Sequence, residues 1–267
     1  MIKKVRLFIN DNDKSNETAL ILKNKLLGNG FIISESDFDL GISVGGDGSF
    51  LRMIKSSDFN SNPLYVGVNS GTLGFLQEVK IDKIDEFIYE LKNEKYIIEE
   101  IGIQETRINR KSETTVLYSL NDIVIRDKDL RALKCNIKID GNVIEDFIGD
   151  GILVATSTGS TAHNLSYGGS IVYNTFSSLQ ITPMAPINSS AFKTLSNSII
   201  IPDKKVITLT PQNSDVIVTI DGKNNFYNDI INIETVIDNK KIKFLRFSYY
   251  NFPQKINEKL INNSKLW

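Results

Sequence analysis

An aspartate framed by glycines, Gly45-Gly46-Asp47-Gly48, follows the apolar run Leu40–Val44 and precedes Ser49–Ile54, where apolar residues recur at helical spacing. An apolar run that stops at Gly-Gly and reopens in this way reads as strand, turn and helix. Glycines let backbone N–H groups approach a ligand, and a helix N-terminus favours anions. A carboxylate at such a place repels phosphate, so it needs a reason to be there. Receiving a proton from a hydroxyl that attacks a phosphate supplies one. The plainer alternative is a tight turn in which Asp47 caps the helix.

Three further stretches carry candidate chemistry. Gly67-Val68-Asn69-Ser70-Gly71-Thr72-Leu73-Gly74-Phe75-Leu76 is a second glycine-rich turn after a strand, and Phe75 either offers its ring to a ligand or packs in the core. Asn121-Asp122 interrupts the apolar strand Ser119–Ile125, where polar side chains are costly to bury without partners. An amide beside a carboxylate can bond an adenine edge and ribose hydroxyls; the alternative is a bulge or strand-end turn. The longest stretch runs from Gly149 through Asp150 to Gly169, with Thr158-Gly159-Ser160-Thr161-Ala162-His163-Asn164-Leu165-Ser166 at its centre. Small residues there permit close backbone approach, and Ser160 or Thr161 could cap a helix while donating to a ligand. No Gly-x-Ser-x-Gly elbow accompanies His163, so a ligand-contacting imidazole is favoured over a hydrolytic general base. A P-loop and a Gly-x-Gly-x-x-Gly fingerprint after the first strand are both absent from the sequence.

The elements that must position these residues fall into two regimes. Up to about residue 95, strands (Val5–Ile9, Leu40–Val44, Leu64–Val68) alternate with helices (Asn16–Leu27, Ser49–Lys55, Ile84–Lys95), which implies a parallel sheet. Ligands of such sheets bind at the carboxyl ends of the strands, where both glycine turns fall. From residue 96 short β-type segments dominate, with Asp140-Gly141 as a hairpin turn and a helix-like exception around Thr161–Tyr173. The tail Lys255–Asn262 reads as helical, with Ile256, Leu260 and Ile261 on one side. The expected fold is an α/β N-terminal domain with a parallel sheet plus a mainly-β, sandwich-like C-terminal domain. Residues 1–95, completed by about 248–267, form the first; residues 96–247 form a β-rich dinucleotide-binding domain. The C-terminal helix packs back on the first.

Composition bounds the class of function. The 267 residues are 41% hydrophobic, with 31 basic against 32 acidic side chains and a net charge of −1, so no global basic field argues for nucleic acid. Cys135 and His163 are the only residues of their types, which excludes an intramolecular disulfide and cysteine- or histidine-rich metal clusters. No run approaches a membrane span, and the opening Met1–Val5 is too short in apolar length to be expected as a signal peptide. A cytoplasmic protein without nucleic-acid or membrane partners is expected.

Taken in order, Gly45–Arg52, Gly67–Phe75, Asn121-Asp122, Gly149–Gly169 and Asp221-Gly222 closely resemble the ATP-NAD kinase family. The resemblance implies phosphorylation of the adenosine-ribose 2′-hydroxyl of NAD to NADP, with ATP (or polyphosphate) and a divalent cation, taken as magnesium. It implies Asp47 as the proton acceptor, with Gly48 and Arg52 nearby. It also implies that Asn121, Asp122, Asp150, the stretch Thr161, Ala162, His163, Asn164, Leu165 and Ser166, and Ala185 hold the dinucleotide, with Phe75 on the adenine side. No metal ligand is assigned to a protein side chain. A homodimer or homotetramer is implied, with a pocket that can include residues from a neighbouring subunit. The chain departs from the family pattern at His163, where tyrosine is common, at Ile148, where a basic residue is frequent, and at Asp122, where glutamate is frequent. A lipid kinase sharing the Gly-Gly-Asp-Gly turn and a non-catalytic NAD(P) sensor are the competing readings.

Overall fold

The computed structural model describes residues 2–71, 74–190 and 192–261. The chain forms two units, Met1–Glu100 with Ile242–Trp267, and Ile101–Lys241. The first opens with β1 (Lys4–Ile9), α1 (Asp13–Gly28), the short β2 (Ile32–Ile33), β3 (Leu40–Gly45), α2 (Asp47–Ser56), β4 (Leu64–Asn69) and α3 (Ile84–Lys92). The strands lie in the order β2-β1-β3-β4, all parallel. Every residue of β3 is buried, as expected for a strand covered on both faces. The register pairs Gly45 with Asn69, so the chain leaves β3 and β4 side by side. Both glycine turns therefore begin at the same end of the sheet, and Ser70 N–H donates to Gly45 O at 3.3 Å. Thr72 and Leu73 of the second turn lie outside the described residues.

The second unit takes up the chain within β5 (Tyr96–Arg110) and continues through β6 (Thr114–Ser119), β7 (Asp122–Asp127), β8 (Leu133–Ile139), β9 (Asn142–Gly149) and β10 (Gly151–Thr156). After α4 (His163–Ser166) come β11 (Ser178–Met184), β12 (Ile199–Pro202), β13 (Ile207–Pro211), β14 (Val216–Ile220), β15 (Lys223–Tyr227) and β16 (Ile230–Phe247). An antiparallel sheet runs β12-β11-β10-β7-β14-β15. Its inner residues, among them Ile123, Ile125, Ile152, Val154, Leu179 and Val218, share one core with Cys135, Ile137, Phe147, Leu209 and Ile233 of the β8, β9, β13 and β16 layer. This is the expected sandwich. The Asp140-Gly141 turn joins β8 to β9 with φ of 48° and 79°, as a primed hairpin requires. Where short β-type segments were expected, β16 runs unbroken from Ile230 to Phe247, and the helix expected around Thr161–Tyr173 shrinks to a 3₁₀ turn (Thr158–Thr161) and α4.

From Ile242, β16 belongs to the first unit, where Lys243 and Phe244 pair with Leu64 and Tyr65 of β4. The short helix α5 (Phe252–Ile256) and a wider turn (Asn257–Ile261) follow. They pack back on the first unit, as expected, but through different side chains. Phe252 and Lys255 are buried, whereas Leu260 and Ile261 are 43% and 65% exposed. The widened last turn breaks the 3.6-residue period from which the apolar side was read, and Asn262 lies outside the described residues. Among the described residues no helix is long and apolar enough to cross a membrane.

Candidate active site

Helix α2 begins at Asp47, with Gly46 as its N-cap and no side-chain cap. The Asp47 carboxylate does not cap its own helix. Its Oδ2 accepts the N–H of Phe75 at 2.8 Å and its Oδ1 the N–H of Leu76 at 2.9 Å. Two charge-assisted bonds to one backbone segment fix the plane and direction of the carboxylate. Gly74 is needed for this approach, because a Cβ there would overlap Asp47 Oδ1. Gln77 Nε2 donates to Gly46 O at 2.8 Å and closes the same segment onto the start of α2. Gly48 is exposed in the first turn, and Phe75 is half-buried with Lys259 Nζ 5.3 Å from its ring centre. Arg52, one turn along α2, is exposed and donates to Asn10 Oδ1 and to Ser49 Oγ.

A cleft of about 600 Å³ opens beside this turn, lined by Asn10, Asn12, Asp13, Lys14, Gly46, Asn69, Ser70 and Gly71. These residues follow β1, β3 and β4, so the cleft lies at the carboxyl ends of parallel strands. The amides, lysine, hydroxyl and glycine backbone of this lining suit a polyanion such as a triphosphate, while the Asp13 carboxylate opposes it.

In the second unit, Asn121 and Asp122 open β7 and are both buried. The Asp221 carboxylate organises them, accepting the N–H groups of Leu120 (2.9 Å), Asn121 (2.8 Å) and Asp122 (3.3 Å). Burial, and secondly the charge of Asp221, pushes Asp122 up to about 7. Asn121 Oδ1 is buried and has no hydrogen-bond partner among the described residues. Thr156 N–H donates to Asn121 O at 2.8 Å, and Thr156 Oγ1 donates to Leu120 O at 2.6 Å. Gly159 then passes so close that a Cβ would overlap Asn121 O. The turn that leads into α4 is thus pressed against the Asn121-Asp122 pair.

Thr161, Ala162, His163 and Leu165 are half-buried, and Ser166 is exposed. The His163 ring packs edge-on against Tyr167 with centres 5.1 Å apart, and Tyr167 OH accepts from Arg126 Nη2 at 3.4 Å. Burial, then Arg126, holds the imidazole below its ordinary pKa and favours the neutral ring. The capping role expected of Ser160 or Thr161 is not found, and Asn164 turns inward. The amide of Asn164 is fully buried and bonded to Gln180 Oε1 (2.6 Å) and Thr182 Oγ1 (2.6 Å), so it braces α4 against β11. Ser160 is also fully buried, its hydroxyl bonded to both backbone groups of Val172, and neither it nor Thr161 caps α4. Asp150 and Ala185 are brought together at the opposite end of β10 from Asn121, where Asp150 N–H donates to Met184 O at 2.9 Å. Both are exposed, and Ala185 has φ of 44°.

Several organising residues were absent from the candidate set. Asp221 was noted only as part of Asp221-Gly222. Gln77, Arg126 and Lys255 carried no signal beyond polarity near a motif.

Comparison with known proteins follows the same division of the chain. The ATP-NAD kinase N-terminal domain matches residues 11–96, and the ATP-NAD kinase C-terminal domain matches residues 120–244. An NAD kinase of Finegoldia magna is 41% identical over 256 residues, covering 92% of this chain and 93% of its own. An NAD kinase of Streptococcus gordonii is 33% identical, covering 97% and 96%. The crystal structure of yeast NADH kinase complexed with NADH superposes with a TM-score of 0.86 at 23% identity over 98% of this chain and 89% of that one. An NAD kinase from Archaeoglobus fulgidus in complex with ATP gives 0.72 at 20% identity, covering 92% and 94%. The two structural likenesses bear on the fold alone, but identity at this level along nearly the whole length of its bacterial relatives settles the lineage: the chain belongs to the ATP-NAD kinase family.

Proposed function

We propose that the chain phosphorylates the 2′-hydroxyl of the adenosine ribose of NAD, using ATP and giving NADP and ADP. The observation that carries this reading is the Asp47 carboxylate, held at the start of α2 beside a cleft suited to phosphates. Family membership displaces the lipid kinase as an explanation of the glycine-framed aspartate.

Asp47 is proposed as the group that receives the hydroxyl proton. A carboxylate is a weak base, with an ordinary pKa of about 3.9, so it does not strip the alcohol before attack. Phosphoryl transfer passes through a loose transition state in which alignment and charge neutralisation do most of the work. Asp47 therefore orients the 2′-oxygen and takes its proton late. Gly46 and Gly48 are proposed to let the backbone approach the transferred phosphoryl group, and Arg52 to offset its charge. Asn121 is proposed to meet the adenine amine with Oδ1, its unpaired buried acceptor. Asp122 is proposed to accept from ribose hydroxyls. Phe75, Asp150, the 161–166 segment and Ala185 complete the proposed contacts, Asn164 indirectly through its brace. On this reading residues 1–95 with about 248–267 carry the transfer chemistry, and 96–247 the dinucleotide.

Among the described residues no three His, Cys, Asp or Glu side chains converge to hold a metal ion. Magnesium is proposed to arrive on the phosphates of ATP, as part of the substrate. A cytoplasmic homodimer or homotetramer without membrane or nucleic-acid partners completes the proposal. The balanced charge and the exposed Phe176, Phe192 and Phe226 support it. The test is incubation of the purified chain with ATP, magnesium and NAD, with NADP read by a coupled dehydrogenase. NAD binding without NADP formation, under any donor, would establish the sensor instead.

A further inference from the structure

Lys255 has no part in the chemistry described above, yet it is buried to 7% exposure in a short terminal helix. Its ammonium donates to Gln77 O at 2.6 Å, Phe75 O at 3.3 Å and Glu78 Oε2 at 3.4 Å. The Phe75–Gln77 segment is therefore gripped from both sides. Its carbonyls are held by Lys255, and its N–H groups hold Asp47. Glu78 in turn is locked by the buried Arg246 at 3.1 Å, and Arg246 by Glu99 at 2.6 Å. Burying an ammonium is costly unless its hydrogen bonds are satisfied, so its placement here asks for a reason.

We propose that Lys255 is a positioning residue for Asp47: by fixing the carbonyls of Phe75 and Gln77 it sets the direction of the N–H groups that aim the carboxylate. The C-terminal helix thereby controls the alignment of the reactive group. This inference rests on the reading of Asp47 as proton acceptor. The charges agree with the geometry, because Asp47 lies within electrostatic reach of Lys255 and favours its charged form. The other groups that face Lys255 are Glu78 on the gripped segment, Arg246 at the end of β16, and Tyr250, whose ring centre is 4.8 Å from Nζ. Glu258 from the following turn lines a cavity beside Lys255 together with Lys80, Lys83 and Tyr249. Burial outweighs Glu78 and lowers Lys255 to about 8. A neutral amine has one hydrogen fewer than the acceptors that face it at Phe75, Gln77 and Glu78, so deprotonation loosens the grip.

The test uses the full chain with Lys255→Met and Asp47→Asn in parallel. Misplacing a reactive group by about 1 Å costs roughly 10²-fold, so Lys255→Met should lose turnover on that scale while its calorimetric affinity for NAD stays near wild type. Amide exchange at Phe75 and Leu76 should accelerate roughly tenfold or more, with β3 and β4 unchanged. In the wild type, exchange at these amides, corrected for intrinsic base catalysis, should step up as pH passes about 8. That step decides the matter even if the variant does not fold. Wild-type turnover with unaltered exchange in Lys255→Met, or no step in the wild type, would overturn the inference. Normal turnover in Asp47→Asn alongside faster exchange in Lys255→Met would instead remove the chemical role of Asp47 and leave the mechanical coupling standing.

Discussion

Asp122 and Asp221 meet at the start of β7 with their backbones bonded in both directions: Asp122 N–H donates to Asp221 Oδ1 at 3.3 Å, and Asp221 N–H donates to Asp122 O at 3.1 Å. Asp221 spends its charge on backbone N–H groups, whereas Asp122 is buried within its field and titrates near neutrality, at about 7. The folded-state value lies above the unfolded one. The stability that Asp122 contributes is therefore complete below the ordinary carboxylate pKa and is lost as pH rises through about 7. Asp122→Asn should be more stable than wild type at pH 8, by about 4 kcal/mol, and close to it at pH 4. Parallel melting curves at both pH values would contradict the assignment. Affinity for NAD should also tighten through the same window, because an ionised carboxylate accepts ribose hydroxyls better than a neutral acid.

Asp47→Asn should lower turnover by roughly 10²–10⁴ while NAD still binds, since general-base assistance is typically worth that much. The amide also sets a donor against the N–H of either Phe75 or Leu76, which costs about 1–3 kcal/mol of local stability. Calorimetric NAD binding beside steady-state kinetics separates the two effects. Near-normal turnover would remove the assigned role.

Asn121→Ala should weaken NAD binding roughly tenfold, the scale of one hydrogen bond, with little change in melting temperature. The reason is that Oδ1 has no partner within the described residues, so its removal costs the folded protein little. An unchanged dissociation constant would take Asn121 out of the pocket.

Gly159→Ala should act on the same pocket from the backbone side. The added methyl would overlap Asn121 O, and relief requires the 157–161 turn to move away from Asn121-Asp122. A loss of about 1–3 kcal/mol in stability is expected, with weaker NAD binding. A variant with wild-type melting and affinity would show that the close approach is dispensable.

The strand, turn and helix around Asp47 were legible because an apolar run, a glycine pair and a helical period meet there without interruption. What the carboxylate does was not legible, since its partners at Phe75 and Leu76 come from a turn 28 residues later. Strand β11 escaped notice because Gln180, Thr182 and Pro183 break its apolar pattern. The first two are polar because they hold Asn164 and line α4. Pro183 is tolerated because β12 pairs only with Ser178–Ile181, so no neighbour on that side requires its N–H. Strand β15, Lys-Asn-Asn-Phe-Tyr, carries almost no apolar signal and forms an edge of its sheet. The role of Lys255 was hidden for a different reason. A lysine in a helix is normally read as solvated, and only the carbonyls it meets show why this one is buried.

The most direct test is a crystal structure of the chain with NAD bound, read at one distance. The account predicts an Asp47 carboxylate oxygen about 2.6–3.2 Å from the ribose 2′-oxygen, with the Phe75 and Leu76 bonds retained. A 2′-hydroxyl beyond the reach of that carboxylate, even through a single water, would contradict it.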